Sequence, residues 1–161
     1  MRVSCLALLL GALAPLPASA LSCLPPNPTR TYGTADAAEE SYVVLLGTLS
    51  FDAAWPDRLV MTDGPPDETF RTEGRFEGMS LAADGFTTPY ASAVEVVEEC
   101  AGPWCGQLSS GAEVLAFARV GEDGVPQILA DPCGFWTFVA PTEEQVAAVT
   151  ACAGRDTCAV E

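Results

Sequence analysis

Histidine and lysine are both missing from this 161-residue chain, and its seven basic residues are all arginine. Without an imidazole, neither a Ser-His-Asp triad nor a Cys-His dyad can be assembled. Zinc sites that use histidine are excluded on the same ground. Positive charge is scarce, with seven arginines against 22 Asp and Glu, a net charge of −15. Nucleic-acid binding depends on Lys and Arg neutralising phosphates, so the chain is repelled by nucleic acid and by anionic membrane surfaces. Such acidity is read first as a source of solubility. Past residue 20, no apolar run reaches the roughly 20 residues needed to cross a bilayer.

The N-terminus carries a distinct pattern. Met1-Arg2-Val3 is followed by an apolar stretch around Cys5 to Leu10 and then by Ala18-Ser19-Ala20. A positive start, a short apolar core and a small-x-small ending predict a cleavable signal peptide over 1–20 and an exported, periplasmic or secreted protein. A cut after Ser22 also has small residues at both required positions. Lipid attachment at Cys23 would call for leucine at position 20, where alanine stands. Residues 21–161 have the length of one domain. Loss of Arg2 leaves six arginines against 22 acids, a charge of about −16.

Cys5 departs with the signal, leaving Cys23, Cys100, Cys105, Cys133, Cys152 and Cys158. An even set in an exported domain predicts a disulfide framework. Six cysteines allow about fifteen pairings. Spacing ranks first the local closures Cys100–Cys105 and Cys152–Cys158, each across a turn-like stretch, with Cys23–Cys133 remaining. Neither local spacing has the two intervening residues of thioredoxin-type redox motifs. A four-cysteine zinc site is the weaker alternative.

Residues 21–33, with Pro25, Pro26 and Pro28, are expected to be extended, followed by one or two helical turns over 34–40. Ser41 to Phe51 is rich in β-branched and apolar residues and predicts a strand. Gly47 within it predicts a bulge or a close backbone crossing. Residues 52–68 form a loop, 69–76 a second strand, 77–85 a connection and 86–100 a third strand. A fourth strand covers 113–120, a turn Gly121 to Gly124, and a fifth strand 127–130. Thr142 with Gln145 three residues on predicts a capped helix, running to about Cys152 and ended by Gly154.

The order of these features resembles the netrin-like domain shared with tissue inhibitors of metalloproteinases, especially its small bacterial exported members. The resemblance spans most of residues 22–152. It rests on Ser22-Cys23-Leu24-Pro25-Pro26, Ala35-Asp36-Ala37, and the strand from Val43 to Leu49 around Gly47. Further on it rests on Cys105-Gly106, Gly111-x-Glu113-Val114-Leu115-Ala116-Phe117-Ala118, Cys133 and the C-terminal helix. It implies a mainly β, disulfide-stapled, five-stranded OB-like Greek-key barrel with a short N-terminal and a C-terminal helix. In the inhibitors an N-terminal cysteine chelates the target's zinc through its amine and carbonyl. The matching residue is Cys23. Leu21 and Ser22 precede it if cleavage follows Ala20, and Pro25 stands where the family has a second cysteine.

Three functions follow in order of expectation. The first is a non-enzymatic exported binding or structural module, monomeric, without cofactor or metal, that meets a protein partner through Trp104 and the Cys23 region. The second is metalloprotease inhibition through Cys23. The third is a carboxylate-dependent hydrolase using Glu95, Glu98 and Glu99. Asp63, Asp67 and Glu68 form another acidic group, but lack calcium-loop spacing. Phe135-Trp136-Thr137-Phe138 is read as core packing.

Overall fold

A computed structural model describes residues 21–52, 69–102, 104–154 and 158. Residues 1–20 (the expected signal peptide), the 53–68 stretch holding Asp63, Asp67 and Glu68, and most of 155–161 lie outside the described residues.

Helix α1 (Pro28–Asp36) begins six residues before the expected turns. The Asn27 side-chain oxygen accepts from the amides of Thr29 and Arg30, both at 3.0 Å. Pro28 occupies the first helical position, where a missing N–H leaves nothing unpaired and the ring presets φ. Only 21–27 therefore remain extended, and the helix closes before the acidic 38–40 segment.

The chain then forms β1 (Tyr42–Phe51), β2 (Phe70–Ala82) and β3 (Gly85–Glu98). The expected connection over 77–85 is instead the distal half of a long β2–β3 hairpin, paired from Phe70↔Glu98 to Ala82↔Gly85. Asp84 holds its turn by accepting from the Thr87 hydroxyl at 2.7 Å. A two-residue ribbon follows, β4 (Cys100–Ala101) and β5 (Trp104–Cys105). Then come β6 (Ala112–Val120), β7 (Pro126–Ala130), β8 (Thr137–Val139) and helix α2 (Glu143–Cys152).

Six strands make one sheet in the order β1-β2-β3-β7-β6-β8, and β6 also pairs with β1. Hydrogen bonding therefore runs through five strands and returns to its start. Only β3–β7 is parallel, over Glu95–Glu98 and Gln127–Ala130. β8 sits on the stretch of β6 that β7 leaves open, pairing with Val114 to Ala116. The expected five strands are all present; β8 and the ribbon are additional.

Period-two alternation sends the two faces of β6 into different cores. Val114, Ala116 and Ala118 pack with Leu45, Leu49, Phe76, Val94, Val96 and Ile128 inside the strand circuit. Leu115 and Phe117 face outward and pack with Phe138 and Val149 beneath α1 and α2. The outer core is largely aromatic: Tyr42 stacks on Trp136 at 5.0 Å, and Phe117 meets both Tyr32 and Phe138 edge-on. Buried Thr31 ties α1 to this layer, its hydroxyl donating to the Phe135 carbonyl at 2.8 Å.

Helix α2 carries a complete capping box. The Gln145 amide donates to the Thr142 hydroxyl at 3.2 Å, and the Thr142 amide donates to Oε1 of Gln145 at 2.9 Å. Thr142→Ala is expected to lower stability by about 1 kcal/mol, measured by urea denaturation. Thr142→Ser should retain most of that stability.

Candidate functional site

Two disulfides gather the C-terminal end of β7, the ribbon and the N-terminal segment at one side of the molecule. Cys23 is bonded to Cys133, with their Cα atoms 5.4 Å apart. Asp131 shapes the turn that presents Cys133. Its carboxylate accepts from the amides of Cys133 at 2.9 Å, Phe135 at 2.7 Å and Trp136 at 3.1 Å. Cys100 and Cys105 face each other across the ribbon and are bonded, their Cα atoms 4.0 Å apart. The ribbon's base is fixed to the main sheet: the Glu99 amide donates to the Ala130 carbonyl at 2.9 Å, and the Gly106 amide to the Glu99 carbonyl at 3.0 Å. Cys152 is bonded to Cys158 beyond α2. These bonds are compatible with an oxidising, exported environment. Among the described residues no helix is long and apolar enough to cross a membrane.

Large apolar side chains are exposed at this disulfide-held side. Trp104 on the ribbon is 42% exposed, Leu24 beside Cys23 is 71% exposed, and Leu21 is 38% exposed. Trp104 is thus only partly covered. Phe138 and Thr137 are buried, and Phe135 and Trp136 are half-buried, as packing residues of the outer core.

The carboxylates of Glu95, Glu98 and Glu99 do not converge. Glu95 lies on the outer face, ion-paired with Arg71 and accepting from Gln127 Nε2 at 2.8 Å. Gln127 in turn accepts from the Arg119 guanidinium at 2.8 and 3.1 Å. A polar row thereby crosses β2, β3, β7 and β6. Glu98, three residues on, points to the opposite face and is buried. Its carboxylate and the two sulfurs of Cys100–Cys105 lie within 4.8 Å of one another. This trio escaped the sequence reading, which grouped the acids by proximity along the chain; strand alternation was the signal that separates 95 from 98. With the sulfurs joined, neither is a thiolate, and the group offers a cation one carboxylate only.

Two tyrosines of the outer core have phenols shifted upward. Burial, then the Asp36 carboxylate, raises Tyr32 above its ordinary value. Burial likewise raises Tyr42, aided by Glu40 and Glu99 and opposed by Arg119. Both shifts favour the neutral hydrogen-bonding form.

An open cleft of about 450 Å³ lies between the start of α1 and α2, lined by Pro26, Asn27, Glu144, Gln145, Ala148 and Cys152 among others. A second opening, beside Phe51, Asp52, Glu73 and Arg75, lies where β1 ends against β2.

Comparison with protein-family models, with curated proteins and with solved structures returned no match.

Proposed function

We propose that residues 21–161 form an exported, non-enzymatic binding module on an OB-like barrel, with a protein as its partner. The strand order supports the barrel reading. β1, β2 and β3 are successive neighbours, and β6 returns by a long connection to lie beside β1, the arrangement of a Greek key. β7 then bridges β3 and β6, as a five-stranded barrel requires.

The observation that carries the functional reading is Trp104, exposed on a ribbon whose two ends are covalently joined. Tryptophan is among the residues most enriched at binding hot spots. A cross-linked ribbon presents it with little conformational freedom to lose. The test is affinity capture from the native compartment with wild-type and Trp104→Ala proteins. A hot-spot role predicts a partner bound about 30-fold more weakly by the variant, roughly 2 kcal/mol. Equal capture by both proteins would remove Trp104 from the interface and overturn the reading.

The second reading, inhibition of a metalloprotease, draws on the exposed position of Cys23 and its bond to Cys133. N-terminal sequencing of the native protein separates the two. A chain beginning at Leu21 keeps Cys23 internal and rules out chelation by its amine, whereas a chain beginning at Cys23 favours it.

A further inference from the structure

We propose that Cys100–Cys105 is an exchangeable disulfide, with Glu98 as its proton donor and acceptor, acting on a dithiol or disulfide partner. The three bridges differ in what surrounds them. Cys23–Cys133 joins residues 110 apart and is backed by the Asp131 turn. Cys152 is buried on α2. Exposure alone does not separate them, since Cys23 is exposed and Cys100 and Cys105 are half-buried. Cys100–Cys105 differs in lying on a ladder of two residue pairs separate from the main sheet, with the Glu98 carboxylate against its sulfurs. A disulfide that closes so short a loop also restricts the unfolded chain least. Opening it frees only the ribbon, because Glu99 and Gly106 remain anchored at the base.

The buried carboxylate provides the chemistry that an ordinary staple lacks. Exchange proceeds through attack of a thiolate on a disulfide sulfur. In the reducing direction, a partner thiolate attacks one sulfur of the bridge and forms a mixed disulfide. The S–S bond breaks, and the displaced cysteine leaves as a thiolate that takes its proton from the Glu98 carboxyl. The partner's second thiol resolves the mixed disulfide and leaves with its own disulfide formed. The second partner thiol gives its proton to the cysteine it displaces, and the proton that the first partner thiol released to solvent returns to Glu98, so two electrons and two protons have passed from the dithiol to Cys100 and Cys105. In reverse, the Glu98 carboxylate removes the proton from a thiol, and the new thiolate attacks a partner disulfide. The four-residue spacing differs from that of helix-borne redox pairs. Here the two sulfurs are brought together by cross-strand register, Cys100 directly opposite Cys105.

The experiment treats the mature chain with graded dithiothreitol, quenches by alkylation and locates opened cysteines by peptide mass spectrometry. Cys100–Cys105 is expected to open at least about tenfold faster than the other two bridges, which serve as internal controls. Earlier opening of Cys23–Cys133 or Cys152–Cys158 would overturn the proposal. Closure of the reduced ribbon by oxidised glutathione is then followed against pH. Glu98→Gln is expected to slow closure about tenfold or more and flatten its pH profile, while Glu95→Gln leaves both unchanged. A folded Glu98→Gln protein that closes at the wild-type rate would remove the proton role. Should that variant fail to fold, the wild-type profile decides. It must show a carboxylate ionisation beyond that of the thiols, and its absence counts against Glu98.

Discussion

Joint replacement of Cys23 and Cys133 by serine is expected to destabilise residues 21–161 by about 4–5 kcal/mol, read as a shift in the guanidinium midpoint at unchanged slope. The bridge closes a loop of 110 residues, and in the chain-entropy model the gain rises with the logarithm of loop length. The same change at Cys152 and Cys158, six residues apart, should cost about 2 kcal/mol. A typical small domain has only 5–15 kcal/mol in all, so the first variant is expected to sit near its unfolding threshold and the second well above it. The native state adds to the difference. Cys133 lies in the turn organised by Asp131, and that turn positions Trp136 against Tyr42. Loss of less than about 2 kcal/mol from the Cys23–Cys133 variant would show that unfolded-state restriction is not what this bridge supplies.

The second large effect is expected at Gly47. Gly47 pairs directly with Gly78 across β1 and β2. A Cβ placed on Gly47 would run into the Glu77 carbonyl oxygen and come within 2.6 Å of the Gly78 Cα. A Cβ on Gly78 would meet the Leu46 carbonyl and come within 2.7 Å of the Gly47 Cα. The obstacles are backbone atoms within a paired ladder, and they cannot rotate aside as a side chain could. Gly47→Ala is therefore expected to cost about 3 kcal/mol or more, the upper range for overpacking. Gly33→Ala is the matched control. Gly33 lies inside α1 with nothing within 4 Å of the added carbon, so the change should stabilise by up to about 1 kcal/mol. Thermal denaturation of the two variants beside wild type tests both signs. Near-equal midpoints for Gly47→Ala and wild type would mean the two strands can part at this crossing.

The elements legible in the sequence were those with a local physical signature. β1 stands out by its β-branched and apolar run, the β6–β7 turn by Gly121 to Gly124, and α2 by its capping box. The expectation of a close approach at Gly47 matches the contact with Gly78. The elements misplaced had a signature too, but a competing one was weighed more heavily. Pro25, Pro26 and Pro28 suggested an extended segment, although Asn27 before Pro28 is a helix start. Asp84-Gly85 is a strong hairpin signal, yet the whole of 77–85 reads as a connection. β8 and the ribbon are two or three residues long and owe their existence to the strands beside them, so no local pattern marks them. The exposure of Trp104, and the meeting of Glu98 with the ribbon sulfurs, depend on tertiary placement and had no sequence trace beyond strand alternation.

The strand circuit also implies an order of events. β2 and β3 are neighbours in sequence, and their hairpin needs no distant residue. Closure waits on pairs such as Leu45↔Ala116 and Val97↔Leu129, and contacts between residues so far apart in sequence are the ones that form slowly. Cys23 lies before the first strand of that circuit and Cys133 just after β7 completes it. In this order their bond comes after the strands have met, and it acts as a latch on a finished ring rather than as a guide to its making.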